Sequence, residues 1–181
     1  MVYHESELEH RVSTITQARS DVRELHSQFP VLPFADDDGV VHKHTFDFYV
    51  VFNDGHRVAV AVKHARKQKQ ILEMFERIAR EDFSHVVDDL RLMTEEDATY
   101  DAFYNAHEIL RSREHFDETE YKTARSIAGQ LVGRFRFGEL LRDCSELGAR
   151  RNAVWQLIDH GLLVPLSTER ISELTWLKAS S

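Results

Sequence analysis

Thr45-Phe-Asp-Phe-Tyr-Val-Val-Phe52, Asn53-Asp-Gly55 and His56-Arg-Val-Ala-Val-Ala-Val-Lys63 form the stretch that decides how the chain reads, and a basic run, His64-Ala-Arg-Lys-Gln-Lys69, follows it. The first segment gathers β-branched and aromatic residues into a short apolar run, the composition of a pleated and mostly buried strand. Asn-Asp-Gly supplies a residue that tolerates positive φ at a tight turn. Beyond the turn, Val58, Val60 and Val62 alternate with Ala59, Ala61 and Lys63, so one face of the second strand carries the lysine. The hairpin therefore places one carboxylate, Asp47, and one ammonium, Lys63, inside an otherwise apolar pair of strands. A charge in such a position needs a partner or a task.

Composition bounds the rest. A chain of 181 residues fits one or two domains and is long enough to bury a sizeable core. Hydrophobic content of 42% and charged content of 30% are those of a soluble globular protein. No run approaches a membrane span, and Met-Val-Tyr-His-Glu-Ser-Glu lacks the cationic start and apolar core of a secretory signal. The lone Cys144 excludes an internal disulfide framework and a multi-cysteine zinc site, and suits a reducing cytoplasm. The expectation is a cytoplasmic protein without a membrane partner. Net charge is −8, yet residues 122–181 hold nine Lys and Arg against six Asp and Glu. That C-terminal third is the better electrostatic neighbour of phosphate.

Along the chain, apolar spacing predicts a helix over residues 6–18, with Ser6 as N-cap and Glu9 at the capping-box position. Asp21 to His26 reads as a loop or a short second piece, and Phe29 to Phe34 as extended, because prolines at both ends deny helix. Asp36 to Gly39 is a turn leading through Val40–His44 into the hairpin. Ile71, Met74, Phe75 and Ile78 form the stripe of an amphipathic helix whose N-terminal part is cationic, the unfavourable end for cations. Arg66, Lys67 and Lys69 therefore suit an external anion such as phosphate, against the plainer reading of a solvated face. Phe83–Leu92 reads as a strand, Thr94–Asp97 as a helix cap and Tyr100–Arg111 as a helix. The pattern is α/β with a mixed sheet, and a domain boundary is placed near His115.

Beyond that boundary the chain reads as helices at 119–131, 137–144 and 149–160, the last ending at Gly161, then strands at 162–166 and 174–177. Three helices and a terminal ribbon suggest a winged helix-turn-helix, with 149–160 as recognition element and Arg150, Arg151, Asn152 and Gln156 available to DNA. The other reading of that helix is packing or protein contact. His42 and His44 share a strand face and read as partly exposed histidines, or as groups beside a phosphate site; Trp155 and Trp176 read as core.

An acid in a helix, an acid in one strand and a lysine in the next could assemble phosphodiester hydrolysis: carboxylates hold a hard cation and an ammonium stabilises charge on phosphorus. Glu9, Asp47 and Lys63 supply those parts if the first helix turns its Glu9 face to the hairpin. Ser6-Glu-Leu-Glu9, Thr45-Phe-Asp-Phe48, the Asp54-Gly55 turn and Val60-Ala-Val-Lys63 resemble the TnsA-like transposon endonucleases of the PD-(D/E)xK superfamily. Further echoes are Met93-Thr-Glu-Glu after a strand and the helix around Asn105.

The resemblance implies a restriction-endonuclease-like mixed sheet flanked by helices over residues 1–115, followed by a small winged-helix-like domain over 116–181. It implies a metal-dependent DNA endonuclease using Mg²⁺ or Mn²⁺, with Glu9 and Asp47 as metal ligands and Lys63 as the catalytic lysine. Arg66, Lys67, Lys69, Arg150 and Arg151 are the expected DNA contacts, and a transposase and an ATPase regulator the expected partner proteins. Phe46 stands where the family places proline, a change expected to matter little. Ala61 stands where the family places Glu, Gln or Asp as a metal ligand, and alanine offers no side-chain oxygen. The chain therefore reads as an active endonuclease, as a degenerate one that binds DNA or a partner protein without cutting, or as a winged-helix regulator.

Overall fold

The computed structural model describes residues 6–180, which divide into two compact units meeting at Thr99 and Tyr100. The first is a three-layer α/β unit. Helix α1 (Glu7–Ala18) starts where expected, Ser6 Oγ accepting the Glu9 N–H at 3.2 Å. Strands β1 (Val22–Ser27), β2 (Val31–Ala35) and β3 (Val41–Thr45) follow, then β4 (Phe48–Phe52) and β5 (Arg57–Val62). Helix α2 (Gln68–Ile78) and strand β6 (Asp89–Met93) complete the unit.

The main sheet runs β1-β4-β5-β6, while β2 and β3 pair as a separate ribbon. The expected hairpin is β4–β5, antiparallel with Phe48 opposite Val60, and Gly55 turns it at φ +89°. β5 then crosses through α2 into a parallel β6, which makes the sheet mixed. Two local readings change. The segment Asp21–His26, open as loop or short piece, falls mostly in β1 (Val22–Ser27), an edge strand against β4 whose alternation is hidden by charged residues. The strand expected over Phe83–Leu92 begins only at Asp89. Its preceding loop is clamped by Arg57, whose guanidinium donates to Asp88 at 2.8 Å and to the His85 carbonyl at 2.9 Å.

Period-two alternation in β5 divides the core. Val58, Val60 and Val62 join Leu8 and Val12 of α1 in one apolar cluster. Ala59 and Ala61 join Phe46, Ile71, Phe75 and Ile78 in another, on the α2 side. Phe46 is 0% exposed and stacks on Phe75 with ring centroids 5.7 Å apart. Phe46 is therefore a central core side chain.

The second unit contains α3 (Tyr100–Glu114), α4 (Glu118–Gln130), β7 (Arg134–Arg136), a 3₁₀ segment (Phe137–Leu141), α5 (Leu147–Asp159), β8 (Leu163–Pro165) and β9 (Trp176–Ala179). Its sheet is antiparallel in the order β7-β9-β8. The composition change near His115 puts α3 with the preceding residues, but the structure groups this helix with those that follow. Gln156 of α5 donates to the Ser112 carbonyl at 2.6 Å, and Arg113 pairs with Asp159 at 2.7 Å. Gly161 closes α5 at φ +69°, as its position predicts. Strand β7 had no sequence signal, since Arg-Phe-Arg is too short to show a period. Among the described residues, no helix is long and apolar enough to cross a membrane.

Candidate functional site

The site forms where β5 ends. Asp47 precedes β4, one step beyond the Phe48–Val60 pair, and is 7% exposed. Its Oδ2 accepts the Val62 N–H at 2.7 Å and lies 3.0 Å from Lys63 Nζ, with Oδ1 at 3.4 Å from the same ammonium. The two charges that the hairpin sequence left without a partner are thus each other's partner. The Lys63 side chain is 31% exposed. An ammonium has three donors and Asp47 occupies at most two, so Lys63 can still meet an anion from solvent.

Around this pair, the 3₁₀ turn Ala65–Lys67 that leads into α2 is fixed from the residues just after β6. Glu95 accepts the Ala65 N–H at 3.0 Å and lies 3.3 Å from His64 Nδ1. Its own backbone N–H and that of Ala65 hold its carboxyl below the ordinary value. Arg66, Lys67 and Lys69 follow, all exposed, with Lys69 4.0 Å from Glu73. The carboxyl ends of parallel strands in an open α/β sheet, next to a helix N-terminus, are where such folds take anionic ligands.

His44 is a group that sequence reasoning undervalued. The alternation of β3 gives its face but not what covers it. Pairing with Leu32 turns it toward the α2 side, edge-on to Phe46 with centroids 4.8 Å apart. Its Nε2 is buried without a protein hydrogen-bond partner. Burial lowers the imidazole pKa, Asp47 raises it in opposition, and Lys63 lowers it further. A histidine lowered by folding favours the native state above the unfolded value of about 6.5 and costs stability as pH falls below it. The melting midpoint of the wild type is expected to fall between pH 7.5 and 5.5. In His44→Gln the fall should be shallower, and parallel curves would exclude this origin.

Glu9 is 6% exposed in the first turn of α1, accepting the Ser6 hydroxyl at 3.1 Å. Its neighbour Leu8 shares the cluster of Val62. Among the described residues, however, no three His, Cys, Asp or Glu side chains come together as a metal-holding group. Asp47 already serves Lys63 and the Val62 amide. Ala61 is 0% exposed within the apolar cluster on the α2 side. Of the expected ligand positions, Asp47 is thus engaged by protein groups and Ala61 presents only a methyl group.

The expected contacts on α5 are placed differently. Arg150 is buried, donating to Glu120 and, at 3.2 Å, to the Leu140 carbonyl. Arg151 pairs with Glu173, and Gln156 is buried against the carbonyls of Ser112 and His115. Helix α5 also buries Ala153, Val154, Trp155 and Leu157. A helix covered on most sides is a core element, which explains why its arginines face protein groups. Trp155 is core as expected, whereas Trp176 is half-buried with the guanidinium carbons of Arg136 and Arg134 at 4.1 and 5.0 Å from its ring centroid.

A search among curated proteins finds no match to the chain. The family model described as TnsA-like endonuclease N terminal matches residues 19–125, more than half of the chain. Asp47, Ala61 and Lys63 fall inside that span, and Glu9 precedes it. The chain belongs to the TnsA-like endonuclease N-terminal family.

Proposed function

We propose that this protein is a nuclease-fold subunit that holds DNA without cutting it alone, in an assembly where a transposase-type partner supplies the cleavage. The observation that carries the reading is Ala61, a fully buried methyl group packed with Phe46 and Phe75 where the fold's chemistry needs an oxygen ligand. Lys63, held by Asp47, and the exposed Arg66, Lys67 and Lys69 form an anion-binding edge suited to backbone phosphates. In the second unit the winged-helix reading is retained. Its basic surface then lies on β7, at Arg134 and Arg136 beside Trp176, since Arg150 is enclosed by protein. A single cysteine and this set of partners suit a reducing cytoplasm.

A second reading is metal-dependent cleavage, with Mg²⁺ or Mn²⁺ held by Glu9 and Asp47 and Lys63 as the catalytic lysine. It is favoured by the Asp47–Lys63 contact itself, because an ion pair with a buried carboxylate and a part-exposed ammonium contributes little to stability and is more readily understood as serving a site.

One experiment separates the two. Supercoiled plasmid is incubated with Mg²⁺ or Mn²⁺ and the wild type, Lys63→Ala or Ala61→Gln, while DNA binding is followed by anisotropy. The binding reading expects intact plasmid with the wild type and a salt-dependent affinity. Replacing Arg66, Lys67 and Lys69 together by alanine should reduce the log–log salt slope by about two to three, roughly one per phosphate contact. Nicking by the wild type that needs metal and disappears in Lys63→Ala would establish the second reading instead.

A further inference from the structure

On the side of the first unit away from β1, α2 and the start of β6 leave a cavity of about 560 Å³. Its floor is apolar: Leu32, Phe75, Ile78, Val87 and Leu90 line it, all of them members or close neighbours of the α2-side cluster. Its rim is acidic, with Glu76, Glu81 and Asp82 exposed among the residues that line it. A further lining carboxylate, Asp88, is taken by Arg57, whose donors hold its pKa down at about 2. Of the positive charges near it, Arg77 reaches Asp37 at 2.7 Å and Arg57 is taken up by Asp88, which leaves the exposed Arg80 against three rim carboxylates. An apolar hollow of this size is large enough for several side chains, and a ring of like charge at its mouth selects what enters.

We infer that this cavity receives a partner protein's cationic amphipathic segment, apolar side chains filling the floor and Lys or Arg meeting the rim. Charge complementarity decides among occupants. DNA would bring phosphates against three carboxylates, and a second copy of a chain with net charge −8 would on average repel the first. A segment with Lys or Arg on either side of Leu, Ile or Phe instead meets apolar floor with apolar side chains and carboxylates with cations. The cavity adjoins β6, the last strand of the main sheet, so the segment would dock at a sheet border without displacing a strand.

The test uses the full chain and a fluorescein-labelled 18-residue Leu/Lys peptide with helical amphipathic spacing. Two counterparts accompany it, one with every Leu replaced by Ser and one with every Lys replaced by Glu. Saturable binding of the Leu/Lys peptide alone is expected. Its Kd should rise about tenfold or more in Glu76→Lys/Glu81→Lys, and likewise in Ala79→Trp, which fills the opening from an exposed position. Glu118→Lys, a charge reversal in the second unit, should leave Kd within about twofold, and circular dichroism confirms that each variant is folded. Equal binding of the Ser peptide, or equal weakening by Glu118→Lys, would reduce the attraction to general charge and overturn the inference. Binding unaffected by the cavity variants would overturn it too, as would self-association abolished by Ala79→Trp, which would assign the cavity to a second copy.

Discussion

Phe46→Ala is expected to destabilise the first unit by about 3–5 kcal/mol, the range for emptying a fully buried aromatic site. Phe46 is 0% exposed, stacks on Phe75, and packs in a T-shaped pair with His44. Removing the ring opens a cavity beside Ala59 and Ala61, small residues that cannot expand to fill it. It also loosens the backbone one residue before Asp47, so the Asp47–Lys63 contact should weaken with the core. Phe46→Leu keeps most of the volume and should cost less than about 1.5 kcal/mol. Urea unfolding of both variants, followed by a probe confined to the first unit, measures the difference. A cost below about 1 kcal/mol for the alanine variant would contradict the packing described.

Arg150→Ala should be nearly as severe in the second unit, about 3–5 kcal/mol, and for an electrostatic reason. The Arg150 side chain is 5% exposed and Glu120 15% exposed, so truncation leaves a carboxylate enclosed with no counter-charge and the Leu140 carbonyl without its donor. Replacing both members, Arg150→Met with Glu120→Leu, removes the stranded charge and should recover most of the loss. Denaturation midpoints of the single and double variants check this. If Arg150 instead met phosphate, Arg150→Ala would lower the salt slope of DNA binding with little change in stability. The geometry expects the opposite pattern.

The sequence alone determined the elements whose physics is local. Ser6 announced the start of α1, Asn53-Asp-Gly55 the hairpin turn, the Ile71–Ile78 stripe helix α2, and Gly161 the end of α5. Asp47 and Lys63 were legible as two charges on adjacent apolar strands that each needed a partner or a task, and the structure makes them each other's partner. Strands β1 and β7 were not, since an edge strand with charged residues and a three-residue strand carry no readable period. Tertiary structure decided everything that depends on which face meets which. Arg150 and Arg151 look like DNA contacts in sequence, and only the packing of α5 shows their carboxylate partners. His44 looks like a solvent-facing histidine until the ribbon folds it against Phe46. Ala61 is the clearest case. The sequence shows the missing oxygen, and packing adds that the methyl group occupies a sealed apolar layer, because alternation in β5 points every odd residue toward α2. Spacing is a property of the chain, whereas burial is a property of the surface that the rest of the chain brings to it.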